Sequence, residues 1–179
     1  MEEEDEEIEK TNEWTERLAE IRKEMLLELS AEDKSFSECL LNCCASVNIS
    51  ELSFDLKEWI PFFRSLERMD PVWDLMLDKM EEITYPNRWE EQISDPRYGR
   101  ILSYFIFRHF LIAKDPSEAK TIFSFCALGT CLIAGLDWAD PLRADEHVRL
   151  YSAEIEYSDE NVERICTKLR ERFAFDNIL

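Results

Sequence analysis

The sequence predicts an all-α protein: a single-domain bundle of about eight helices, with two central helices that are nearly all apolar. Three observations predict it. Apolar residues recur at helical spacing in almost every segment, and no segment alternates with a period of two. Four of the six prolines follow an aspartate, and each of these pairs precedes a periodic run. Glycine occurs only at Gly99, Gly129 and Gly135, and no Gly/Ser-rich linker divides the 179 residues.

The first ten residues, MEEEDEEIEK, have almost nothing apolar to bury and are expected to form an acidic mobile tail, or only a frayed helical extension, ahead of a helical domain over 11–179. The first helix is expected at 12–29, where Trp14, Leu18, Ile21, Met25 and Leu29 fall on one stripe. A second, at 35–47, is capped by Ser35 and carries Phe36, Leu40, Cys43 and Val47. A third, at 54–69, contains Pro61, which argues for a kink or a later start. Asp70-Pro71, Asp95-Pro96, Asp115-Pro116 and Asp140-Pro141 open helices at 71–82, 96–113, 117–135 and 141–156. Aspartate at the N-cap accepts hydrogen bonds from free backbone N–H groups, and proline at the first helical position loses nothing by lacking one. The last helix, 159–173, follows Ser158. The stretch TYPNRWEEQIS, 84–94, is the longest irregular connection.

ILSYFIFRHFLIA, 101–113, and TIFSFCALGTCLIAGL, 121–136, are apolar on nearly every side and form the expected central layer. In the second, Ala127, Cys131 and Gly135 recur every four residues, a line of small side chains that suits a tight helix–helix seam.

Charge and targeting signals limit the function classes. A net charge of −19 repels a phosphate backbone and an anionic lipid surface, so neither nucleic acid nor membrane is expected as a partner. Residues 1–35 alone carry 14 acids against 5 bases. An acidic start is the opposite of a signal peptide, and the longest uncharged run, Thr121–Leu136, is 16 residues, short of the ~20 that span a bilayer. The expectation is a cytoplasmic protein whose six cysteines stay reduced.

Few residues suggest chemistry. Cys39, Cys43 and Cys44 cluster, but without the four-ligand spacing of zinc or iron–sulfur sites, so no metal is expected and the cysteines read as core. His109 and His147 have no nucleophile assignable by spacing and read as structural. No glycine stands in a strand–helix turn that could cradle a nucleotide. In YSAEIEYSDENVERI, 151–165, helix capping by Ser158 with Asp159 and Glu160 accounts for part of the acidic cluster and leaves Glu154 and Glu156 bordering an apolar stripe.

RLYSAEIEYSDENVERI resembles the C-terminal segment of the flagellin lysine-N-methylase family, with its tyrosine–serine–x–glutamate start and serine–x–glutamate–asparagine cap. SYFIFRHFLIA is similar to that family's aromatic helix, and LAEIRKEMLLELSAEDKSFSECLLNC to its middle region. The resemblance carries over Tyr104, Arg108, Tyr151, Ser152, Glu154, Glu156, Ser158, Glu160 and Asn161 as family-like positions. It implies S-adenosylmethionine-dependent methylation of protein lysines, with an iron–sulfur cluster, in a full-length protein. The chain departs from the pattern. Nothing matches the cluster-bearing region, and Tyr157 stands where a histidine is more typical. The expected function is therefore a lysine-N-methylase-like helical module that is not catalytic alone and holds no cofactor itself. The alternatives are a helical protein–protein interaction module and a self-sufficient methyltransferase. Arg108 lies among Phe105, Ile106, Phe107, Phe110, Leu111 and Ile112, and is expected to be buried and paired with Glu154 or Glu156.

Overall fold

The computed structural model describes residues 2–85 and 93–176, with side chains over 10–85 and 93–173. The described residues are all-α. In chain order they form α1 (Glu2–Leu29), α2 (Phe36–Ser46), α3 (Leu56–Arg64), α4 (Val72–Glu82), α5 (Pro96–His109), α6 (Pro116–Ala139), α7 (Ala144–Tyr151) and α8 (Asp159–Asp176). Short 3-10 turns follow α5 at Phe110–Ile112 and α6 at Pro141–Arg143, and a π-turn, Ser152–Glu156, extends α7.

The caps explain why the helices start where they do. The Ser35 hydroxyl accepts the Glu38 N–H at 3.2 Å while Glu38 accepts the Ser35 N–H at 2.8 Å, a complete capping box. Three of the four Asp-Pro aspartates cap as expected. Asp70 accepts from Val72 at 2.9 Å, Asp95 from Arg97 at 2.8 Å, and Asp115 from Ser117 and Glu118 at 2.8 and 2.9 Å. Asp140 does not: it pairs with Lys79, caps nothing with its side chain, and opens only a 3-10 turn. The predicted helix 141–156 is accordingly a 3-10 turn, α7 and the π-turn. α2 ends in a Schellman pattern, with Ile49 N–H on Cys44 O and Asn48 N–H on Ala45 O. Asn48 takes the left-handed conformation there, at φ 56°.

The largest of the other boundary differences are at α1 and α3. α1 begins at Glu2 and not at 12, because glutamates are good helix formers and their carboxylates favour a helix N-terminus even with no apolar stripe. α3 stops at Arg64 and not at 69, with Pro61 inside it. Of the irregular stretch 84–94, residues 86–92 lie outside the described ones.

The chain gathers into two compact units, Met1–Leu52 with Ser94–Ala127, and Ser53–Ile93 with Leu128–Leu179. In the first, α1 runs along α2 and α5 and buries Leu18, Ile21 and Met25, while α5 buries Leu102, Phe105 and Ile106. The Trp14 indole N–H donates to Ala113 O at 2.9 Å and fastens α1 to the turn after α5. In the second, α3 and α4 pack through an aromatic group in which Trp59 meets Phe62 at 5.5 Å and Phe63 meets Trp73 at 6.2 Å.

α6 contributes its first half to one unit and its second half to the other. By length and composition it could cross a membrane, but 89% of its most apolar window is buried, the burial a core helix needs. The two central helices differ in one respect. α6 is buried on every side from Thr121 to Asp137, whereas α5 leaves Tyr104, Phe107 and Arg108 exposed, and the 3-10 turn after it leaves Leu111 and Ile112 exposed.

On the Ala127–Cys131–Gly135 line, Gly135 faces side chains and not a neighbouring backbone. An added Cβ at Gly135 would meet the flexible ends of Leu56 and Met80 at 2.6 and 2.8 Å. Both ends can turn aside, so Gly135→Ala is expected to change stability by less than ~1 kcal/mol, measured by chemical denaturation.

Candidate functional site

The family-like residues of the second segment meet in one buried polar network. The π-turn places a Tyr157 N–H on Ser152 O at 3.1 Å, five residues back. Within it the Ser152 hydroxyl donates to the buried Glu156 carboxylate through a short contact. Glu154, wholly buried, accepts the Met69 N–H on Oε2 at 2.8 Å, and its Oε1 has no hydrogen-bond partner. Ser158 caps α8 by accepting the Asn161 N–H at 3.2 Å and donates to Glu67 Oε2 at 3.1 Å.

Asn161 is the centre of the network. Its Oδ1 accepts the Glu67 N–H at 2.9 Å, and its Nδ2 donates to Glu67 O at 2.9 Å and to Glu154 O at 2.7 Å. One amide thus offers the loop after α3 the acceptor and donor that a neighbouring backbone would offer. Arg164 adds bonds to Ser65 O at 2.7 Å and Ser65 Oγ at 3.1 Å. The arrangement is a clamp that fixes Ser65–Met69 against the start of α8.

The other family-like residues stand apart. Tyr151 is buried with its ring against Gly129. Glu160 is exposed in the first turn of α8. Tyr104 and Arg108 lie exposed on α5, 3.3 Å from each other, in the first unit. This corrects the expected burial of Arg108, which is exposed on α5.

Sequence reasoning missed Glu67, Met69 and Arg164, which lie in or reach a loop without periodicity. It also missed Asp137. Asp137 Oδ1 lies 2.7 Å from His147 Nδ1, both residues are buried, and His147 Nε2 has no partner. The pair orients an imidazole as general-base sites do, but with both groups sealed from solvent it serves the interior.

The cysteines do not fit an iron–sulfur cluster. The Cys39 and Cys43 thiols donate to Glu28 O at 3.3 Å and Met25 O at 3.8 Å, back onto α1. Burial raises both above the ordinary thiol value and pushes Cys44 up to about 12. Among the described residues no group of three or more His, Cys, Asp or Glu is placed to hold a metal. All six cysteines are buried and none forms a disulfide. In native protein near neutral pH they are expected to react with a disulfide reagent about a hundredfold slower than in denaturant. Rapid native-state reaction of Cys43 or Cys44 would contradict this burial.

Two surface features remain, both in the first unit. A cleft of about 500 Å³ opens between the end of α1, the start of α2 and the start of α5. On α5 and the turn after it, Tyr104, Phe107, Leu111 and Ile112 are 44, 64, 42 and 64% exposed, at a spacing that lines one side.

Comparison with known family models, characterised proteins and solved structures gave no match.

Proposed function

We infer that the protein is a helical protein-interaction module that docks an acidic amphipathic helix of a partner protein on α5. The observation that carries the reading is the exposed apolar stripe Tyr104, Phe107, Leu111 and Ile112. Scattered exposed apolar residues are ordinary, whereas a row of aromatic and branched side chains on one helix face is the form a helix-docking surface takes.

Charge supports the partner's sign. Residues 94–127 hold 5 Lys/Arg against 3 Asp/Glu, a local +2 within a chain of −19. The Arg22 guanidinium lies 5.2 Å over the Phe107 ring, Arg108 interrupts the stripe, and Lys114 follows it. An acidic helix complements these cations.

Calorimetric titration tests the reading with a synthetic peptide carrying leucine or phenylalanine at helical spacing and glutamate elsewhere. Phe107→Ser and Ile112→Ser are each expected to weaken its binding about tenfold or more, because central apolar anchors dominate such interfaces. Folding stability should stay within ~0.5 kcal/mol, as both side chains are exposed. Equal binding of a scrambled peptide, or binding only to anionic vesicles, would overturn the reading.

A second reading, a lysine-N-methylase-like helical module, is supported by the convergence of Ser152, Glu154, Glu156, Ser158 and Asn161 in one network. S-adenosylmethionine would supply the methyl group there. Its separate test is calorimetry with S-adenosylmethionine on this chain and on a longer protein containing a cysteine-rich domain. Binding to neither would remove that reading.

A further inference from the structure

We propose that the cleft between the end of α1 and the starts of α2 and α5 binds a free α-amino acid with an apolar side chain. Its walls carry three charged groups, Glu32, Lys34 and Arg100. Lys34 is already committed: its ammonium lies 2.7 Å from the Glu28 carboxylate, and this contact raises Lys34 above its ordinary value and lowers Glu28. Asn42 donates to the same carboxylate at 2.6 Å, which fixes that pair in place.

Glu32 and Arg100 are different. Each has no hydrogen bond or ion pair among the described residues, and they do not pair with one another. The turn after α1 thus brings to the cleft a carboxylate, and the second turn of α5 a guanidinium, that are unpaired among the described residues. Leu29, the buried Phe36 and the buried Cys39 supply apolar lining. The nearby helix N-termini add no competing anion site, since the Glu38 carboxylate and Asp95 already cap them.

A carboxylate, a guanidinium and apolar side chains lining one cleft match a zwitterion with an apolar body. The ligand carboxylate meets the planar fork of Arg100, its ammonium meets Glu32, and its side chain covers Phe36 and Leu29. The volume falls in the ordinary range of small-ligand sites. This inference is independent of the docking face on α5.

The test is calorimetric titration of the full chain with L-phenylalanine and L-leucine, and with two analogues of phenylalanine. Phenethylamine lacks the carboxylate and 3-phenylpropanoate lacks the ammonium. Binding of both amino acids is expected, with each analogue about tenfold weaker, because each lacks one of the two charge-assisted hydrogen bonds. Arg100→Gln should remove the preference for phenylalanine over phenethylamine, and Glu32→Gln the preference over 3-phenylpropanoate. Both residues are exposed, so neither variant should disturb folding, which circular dichroism checks. Absence of binding up to about 10 mM, roughly ten times the dissociation constant of a ligand bound at about 1 mM, would overturn the proposal. So would binding that ignores both substitutions.

Discussion

Replacing Asn161 with alanine is expected to destabilise the protein by about 3 kcal/mol, because the change strands three backbone groups at once. The lost partners are Glu67 N–H, Glu67 C=O and Glu154 C=O, bonded now at 2.9, 2.9 and 2.7 Å. The Glu67 groups are part-buried and can recover some water, whereas the bond to Glu154 O is fully buried, so the sum stays below three full desolvation penalties. For a chain of this length the midpoint of thermal unfolding should fall by roughly 6–12 °C. Asn161→Asp separates hydrogen bonding from side-chain volume. It keeps the acceptor for Glu67 N–H but turns the amide donor into a charged oxygen facing two carbonyls and the buried Glu154. It should therefore cost at least as much as alanine near neutral pH. Thermal and urea unfolding of both variants measure this. A loss below ~0.5 kcal/mol for alanine would mean that the loop after α3 is not held by Asn161.

Gly129→Ala is expected to cost about 2–4 kcal/mol, although alanine is the better helix former by ~1 kcal/mol. The added Cβ would sit 2.5 Å from Tyr151 Oη, 2.7 Å from Cζ and 3.1 Å from Cε1. Tyr151 is buried, and an aromatic ring has only two torsions with which to withdraw, so the clash falls on helix α6 or α7. This is the opposite of Gly135, where the obstructing atoms are the ends of Leu56 and Met80. A double-mutant cycle of Gly129→Ala with Tyr151→Leu should recover more than ~1 kcal/mol relative to additivity. Additive losses would place the strain elsewhere.

The positions of the helices were legible in the sequence because their starts are written locally. Asp95-Pro96 and Asp115-Pro116 satisfy free N–H groups within three residues, and Ser35 with Glu38 does so in one turn. What depends on distant partners was not legible. Asp140 has the same local signature as the other three, and only Lys79, 61 residues away, diverts it from capping. Ser158 reads correctly as a cap, yet nothing local shows that Asn161 reaches Glu67 across 94 residues. The π-turn hides in a run that looks uniformly helical, and its extra residue is part of the turn that ends by directing Glu154 onto Met69. Ser152, Glu154, Glu156, Ser158 and Asn161 were singled out in the sequence without Glu67 and Met69, the partners through which Asn161, Glu154 and Ser158 hold the loop after α3, and without Arg164, which bonds to Ser65. α5 misled in the other direction. Its composition reads as core on all sides, but apolar periodicity cannot distinguish a face covered by the protein's own chain from one left for a partner.

The interaction reading is tested most directly by photocrosslinking in cells, with p-benzoylphenylalanine placed at Phe107 and, as a control, at the exposed Glu171 on α8. The account predicts that position 107 joins a protein segment that is acidic and amphipathic at helical spacing, and that position 171 does not. Crosslinking of position 107 to lipid alone, to no protein, or to the same proteins as position 171 would contradict it.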